Sequence, residues 1–207
     1  MKIDAVIDVV CPWCYVGKRQ LDLALSARPS LKADVWWRPY QLGPDTPKEG
    51  IDRKSYYAKK FPDQARLAQM REHLSDLGKS LGITFDFESE CLIANTLDAH
   101  RLIRWARADG VQDAVVTDLM QRYFEDSAFL GAHELLVDVA AKAGMDAKVV
   151  ADLLNTERDN DLVQSEIAQA RKLGVQGVPV FIIDGKAAIS GAQGVDAITD
   201  MIDKLKE

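Results

Sequence analysis

Cysteine and histidine are scarce in this chain, three of each among 207 residues. Three cysteines are too few, and odd in number, for a disulfide framework. Any disulfide formed here reads as catalytic or redox-sensing rather than as a staple. His73, His100 and His133 are scattered and show no paired ligand spacing. No apolar run approaches the roughly 18 residues of a membrane-spanning helix. Positive charge is in deficit: 26 Lys and Arg against 32 Asp and Glu leave a net charge of −6. That balance argues against a nucleic-acid partner. The N-terminus has Asp4 and Asp8 where a secretory leader would place its apolar segment. The expected location is therefore the cytoplasm, with no membrane partner.

What is present is concentrated in Cys11-Pro12-Trp13-Cys14. An apolar run from Ile3 to Val10 precedes these residues and reads as a strand. A helical pattern through Leu21, Ala24 and Leu25 follows them, with Pro12 suited to the first turn. Two cysteines three apart at a helix start either form a disulfide with each other or ligate a metal. A metal site needs a second ligand pair, and neither Cys91 nor the histidines supply one, so redox chemistry is the better-supported reading and no metal is expected. A helix N-terminus favours a thiolate, which makes Cys11 the attacking sulfur and Cys14, one turn on, the resolving one. Pro12 removes an N–H donor, and Trp13 offers an apolar surface for docking.

Residues 2–40 read as β-α-β, with a second strand over 34–40 that Pro39 ends or marks as an edge. A turn-rich linker over 43–50 follows. Helical patterns then run without a convincing strand to about residue 179: one from Pro62 to Gly82, one behind Asn95 as N-cap, then 112–126, 132–143, 146–154 and 158–173. Strands return at 180–183 and 187–189 around an Asp184-Gly185 turn, and a last helix covers 194–205. Neither flanking piece buries a core alone. The expected fold class is α/β, with residues 1–43 and 157–207 forming one domain and 44–156 inserted as an all-helical block.

A second signal is Gly177-Val178-Pro179-Val180 at the third strand's start. Pro179 is either an ordinary strand-start proline or follows a cis peptide that turns the Val178 backbone outward to pair with substrate. Asp8 is either a loop cap or a proton carrier for Cys14. His100 reads as a satisfied structural histidine, and Cys91 as a small buried hydrophobe. At least one of Trp36 and Trp37 belongs to the core. Trp105 and Tyr123 read as packing residues within the helical block.

The strand, Cys-Pro-Trp-Cys, helix unit, the late Gly-Val-Pro before a hairpin and the helical block between them resemble the DsbA-like branch of the thioredoxin fold. Five segments, Val10–Lys18, Trp37–Tyr40, Asn95–Arg101, Gly174–Phe181 and Ser190–Gln193, resemble its FrnE-like group. The resemblance implies a thioredoxin-like fold with an inserted helical domain capping a groove. It implies a thiol-disulfide oxidoreductase (reductase or isomerase) with Cys11, Cys14 and a cis Pro179 as the catalytic set. Pro12, Trp13, Val178 and Gln193 are the matching substrate-binding positions. Related 2-hydroxychromene-2-carboxylate isomerases and kappa-class glutathione transferases use glutathione, with serine where this chain has Cys11; a glutathione-dependent isomerase or transferase is the alternative. No tightly bound cofactor is expected. The implied partners are protein or small-molecule disulfides, glutathione as co-substrate, and a second copy in a homodimer.

Overall fold

The computed structural model describes residues 1–206. The elements, in chain order, are β1 (Lys2–Ile7), α1 (Pro12–Ser26), β2 (Asp34–Pro39), β3 (Ile51–Asp52), α2 (Arg53–Lys60), α3 (Gln64–Ser80), β4 (Leu92–Ile93), α4 (Leu97–Ala106), α5 (Gln112–Phe124), α6 (His133–Lys142), α7 (Ala147–Leu154), α8 (Asn160–Lys172), β5 (Val180–Ile183), β6 (Ala187–Ser190) and α9 (Val195–Lys204).

The main sheet has the order β2-β1-β5-β6. β1 pairs parallel with β2, Ile3 opposite Val35, and antiparallel with β5, Ala5 opposite Phe181. β1 is thus central, and its side chains from Val6 to Ile7 are buried on both faces, as an inner strand requires. Pro39 ends β2, an edge strand, where its missing N–H costs no ladder bond. The β5–β6 turn has positive φ at Asp184 and Gly185, and the Asp184 carboxylate accepts from the Lys2 backbone N–H at 2.6 Å. α1 packs on α9, while α4, α5 and α8 contact β2. One hydrophobic cluster runs from Ile3 and Phe181 in the sheet through Leu102, Leu119 and Val139 of the helices.

Four expectations are corrected. The stretch before residue 179 is not free of strands: Ile51 and Asp52 pair with Ile93 and Leu92. Two-residue strands carry no readable period. Helix α2 falls where only linker and helix approach are predicted; Asp52 caps it by accepting from the Ser55 N–H at 2.8 Å. The next helix starts at Gln64 behind an Asp63 cap rather than at Pro62. Likewise Asn95 is not the N-cap of α4, a position held by Thr96. Its side chain instead accepts from Leu97 N–H and donates to the Pro44 and Thr46 carbonyls, tying the 41–46 loop down.

Candidate active site

Cys11 occupies the N-cap of α1 with extended backbone (φ −95°, ψ 115°), and Pro12 follows in the first turn. A turn closed by Cys11 N–H donating to the Asp8 carbonyl (3.0 Å) brings the chain from β1 into the helix. The first turn holds no acidic residue, so the positive end of the helix dipole is left to act on the sulfur. Cys14, one turn along, is completely buried; Cys11 is 5% exposed. Burial first, and interaction with Cys11 second, raise the Cys14 thiol well above its ordinary pKa. No disulfide joins them.

The Val178–Pro179 peptide is cis, which answers the choice left open at Pro179. The Cys11 thiol donates to the Val178 carbonyl at 3.7 Å, so residues 167 apart in the chain form opposite walls of one site. Their approach depends on Gly17 of α1. A Cβ at that position would lie 2.9 Å from the Pro179 ring and 3.1 Å from Phe181.

A cavity of about 230 Å³ opens beside Cys11. Pro12, Trp13 and Val178 line it, as do residues with no counterpart among the sequence candidates: Tyr57 and Phe61 at α2, Met70 of α3 and Ile93 of β4. The adjacent aromatics Tyr56 and Tyr57, with Phe61 just before Pro62, were the available sequence signal for this wall. Trp13 lines the cavity, and its ring also sits 5.9 Å from that of His73 in α3. Gln193 does not join the site. It is exposed, lies outside the cavity lining and donates to the Ser190 carbonyl at 2.8 Å.

Asp8 is fully buried at the cavity floor. One carboxylate oxygen accepts from the Leu42 N–H at 2.8 Å, which is the loop-capping role. The other has no hydrogen bond; His100 Nε2 lies 3.4 Å away but gives its hydrogen to the Tyr40 carbonyl at 2.8 Å. Asp8 also borders Cys14, hydrogen-bonding it through the backbone and acting on it by charge. His100 is therefore a satisfied, buried histidine. Cys91 is buried, with its thiol bonded to the Leu92 carbonyl and its pKa raised by that burial. Trp37 is core; Trp36 is half-buried under the Arg107 and Arg38 guanidinium groups, 4.0 and 4.3 Å from its ring. Trp105 anchors to Asp159. Among the described residues, no group of three or more His, Cys, Asp or Glu side chains is placed to hold a metal ion, and no helix is long and apolar enough to cross a membrane.

Known structures share this architecture. A probable DsbA oxidoreductase from Streptomyces coelicolor is 28% identical, with a TM-score of 0.91 over 99% of this chain and 89% of its own. A 2-hydroxychromene-2-carboxylate isomerase has a TM-score of 0.77 at 14% identity, covering 99% of this chain and 96% of that one. The cytosolic disulfide reductase DsbM from Pseudomonas aeruginosa, solved with GSH, has 0.69 at 14% identity, covering 99% and 98%. The family model for the DSBA-like thioredoxin domain matches residues 2–203, and with that match over nearly the whole length, the chain belongs to the DSBA-like thioredoxin family.

Proposed function

We propose that this protein is a cytoplasmic thiol-disulfide oxidoreductase that works through the Cys11–Cys14 dithiol. The observation that carries the reading is the position of Cys11: an N-cap sulfur one helical turn from its resolving partner, bonded to the Val178 carbonyl and lining a cavity. Cys11, as thiolate, attacks one sulfur of a substrate disulfide. The substrate S–S bond breaks, a Cys11 mixed disulfide forms, and the first substrate thiolate leaves and takes a proton from solvent. Cys14 then attacks Cys11 Sγ, closing the Cys11–Cys14 disulfide and releasing the second thiolate. A completely buried thiol has no water to receive its proton, and the Asp8 carboxylate, whose charge acts on Cys14, is assigned as the acceptor. Pro179 holds Val178 against the sulfur, and Pro12 and Trp13 form the near wall.

Regeneration needs two electrons from a thiol. Glutathione is the co-substrate assigned to this step, two molecules giving one glutathione disulfide; the glutathione-bound DsbM structure supports that choice. In a reducing compartment the net direction is reduction or isomerisation of substrate disulfides. A glutathione-dependent isomerase of the hydroxychromene type, whose fold this chain shares, would not need Cys14, so the test turns on that residue. With 2-hydroxyethyl disulfide as probe, Cys14→Ser is expected to accumulate a single mercaptoethanol adduct on Cys11 by intact mass, and Cys11→Ser none. Wild-type turnover by Cys11→Ser would overturn the dithiol mechanism.

A further inference from the structure

We infer that the substrate is a low-molecular-weight disulfide whose reacting half is apolar and about one ring in size, not a disulfide within a folded protein. The inference rests on the dithiol reading and concerns what reaches Cys11.

A disulfide in a protein carries backbone on both sides of each sulfur. To meet Cys11 it needs an exposed nucleophile and open ground around it. Cys11 is 5% exposed and faces a cavity instead. Trp13, between the cysteines, lies against His73 of α3 and forms part of the cavity wall. Helix α2 forms another wall through Tyr57 and Phe61, and its position is held by the β3–β4 pairing and by the Arg53 N–H bond to the Cys91 carbonyl at 2.9 Å. The helical block thus encloses the sulfur on the side opposite Val178.

The enclosure has a size and a chemistry. A cavity of about 150 Å³ lined by apolar side chains accepts benzene, so about 230 Å³ accommodates a single ring with its sulfur. Beyond Cys11 the lining is mainly apolar, with Trp13, Tyr57, Phe61, Met70 and Ile93, and its charged members are Asp8 and Lys60; the apolar side chains reward an apolar or aromatic body.

The test is a single-turnover comparison with the full-length reduced protein, which supplies both electrons. Three probes are used: bis(4-hydroxyphenyl) disulfide, 2-hydroxyethyl disulfide and insulin. In each small-probe reaction Cys11 displaces one thiol, Cys14 displaces the second, and the protein ends as the Cys11–Cys14 disulfide. Each rate is divided by the rate of the same disulfide with dithiothreitol, removing intrinsic reactivity. Burying one ring is worth about 1.5–3 kcal/mol, so the normalised aryl rate is expected to exceed the hydroxyethyl rate about 10- to 100-fold, with insulin slowest. Met70→Trp, which fills the cavity, is expected to collapse the aryl preference, and Met70→Ala to retain it. A normalised insulin rate equal to or above the aryl rate overturns the inference and leaves dithiol exchange standing. Reduction of none of the three overturns the dithiol reading itself.

Discussion

The two thiols of the Cys11–Cys14 pair sit one helical turn apart in different surroundings. Cys11 has the helix N-terminus and a cavity; Cys14 has only protein around it. Burial, then interaction with Cys11, holds the Cys14 thiol neutral to higher pH than a free thiol. This has a stability consequence whose sign is fixed. In the unfolded chain Cys14 ionises near pH 8.5. In the folded reduced protein it ionises later, so the unfolded state loses its proton first. The stabilising contribution is complete below about pH 8.5 and is lost as pH climbs toward the raised folded value. Denaturant unfolding of the reduced protein is therefore expected to show falling stability between about pH 8.5 and 10, and Cys14→Ala to flatten that fall. An unchanged slope in the variant would remove Cys14 as its source.

At the scale of elements, the site is where α1, the Val178–Pro179 turn and α2 converge. Gly17 sets how closely the first two approach. Helix propensity alone predicts that Gly17→Ala stabilises α1 by about 1 kcal/mol. Packing predicts the reverse, because the added Cβ would meet the Pro179 ring at 2.9 Å and Phe181 at 3.1 Å, neither of them a flexible chain end. Overpacking costs about 1–3 kcal/mol, so the expected net is a lower denaturation midpoint together with slower attack on 2-hydroxyethyl disulfide, since Val178 is pushed from Cys11. A more stable variant would show that propensity wins. Gly17 also marks the boundary of what was legible in the chain. Cys11, Cys14, Pro179 and the Asp184-Gly185 turn announce themselves through local chemistry: a helix cap, a missing N–H, two positive φ angles. The α2 wall does not. Its position depends on Ile51 pairing with Ile93, a contact across some forty residues between strands too short to have a period. The partner that makes glycine necessary at position 17 is likewise 162 residues away. Gln193 shows the converse error: a motif match put it in the site, whereas its amide is spent on its own loop.

At the scale of the molecule, the helical block and the sheet share their core, and buried charges join them. Lys18 of α1, 1% exposed, pairs with Asp22 and with Asp113 of α5 and lies over the Trp37 ring of β2. Arg101 of α4, also 1% exposed, carries more. Its guanidinium donates to Asp98 at 2.7 Å and to the carbonyls of Leu153, Thr156 and Arg158 at 2.7–2.8 Å. Leu153 lies in the last turn of α7 and Thr156 just beyond it, at the helix end where a cation is favoured. One side chain thus fastens α4 to the α7–α8 junction, through which the chain returns to the sheet. Arg101→Met conserves much of the volume but removes the guanidinium's bonds to the Thr156 and Arg158 carbonyls and leaves the Asp98 carboxylate without that partner, at a cost of about 3 kcal/mol. For a chain of this length that is a fall of about 10 °C in Tm. Arg101→Lys should not rescue it, because an ammonium does not reproduce the planar fork that reaches three carbonyls and a carboxylate together. The cavity beside Cys11 is lined from α2, α3 and β4 rather than from this junction, so at 25 °C, where the variant remains folded, disulfide exchange per folded molecule should match wild type. A Tm within 2–3 °C of wild type would show instead that the block is held by its apolar core and that Arg101 merely fills space within it.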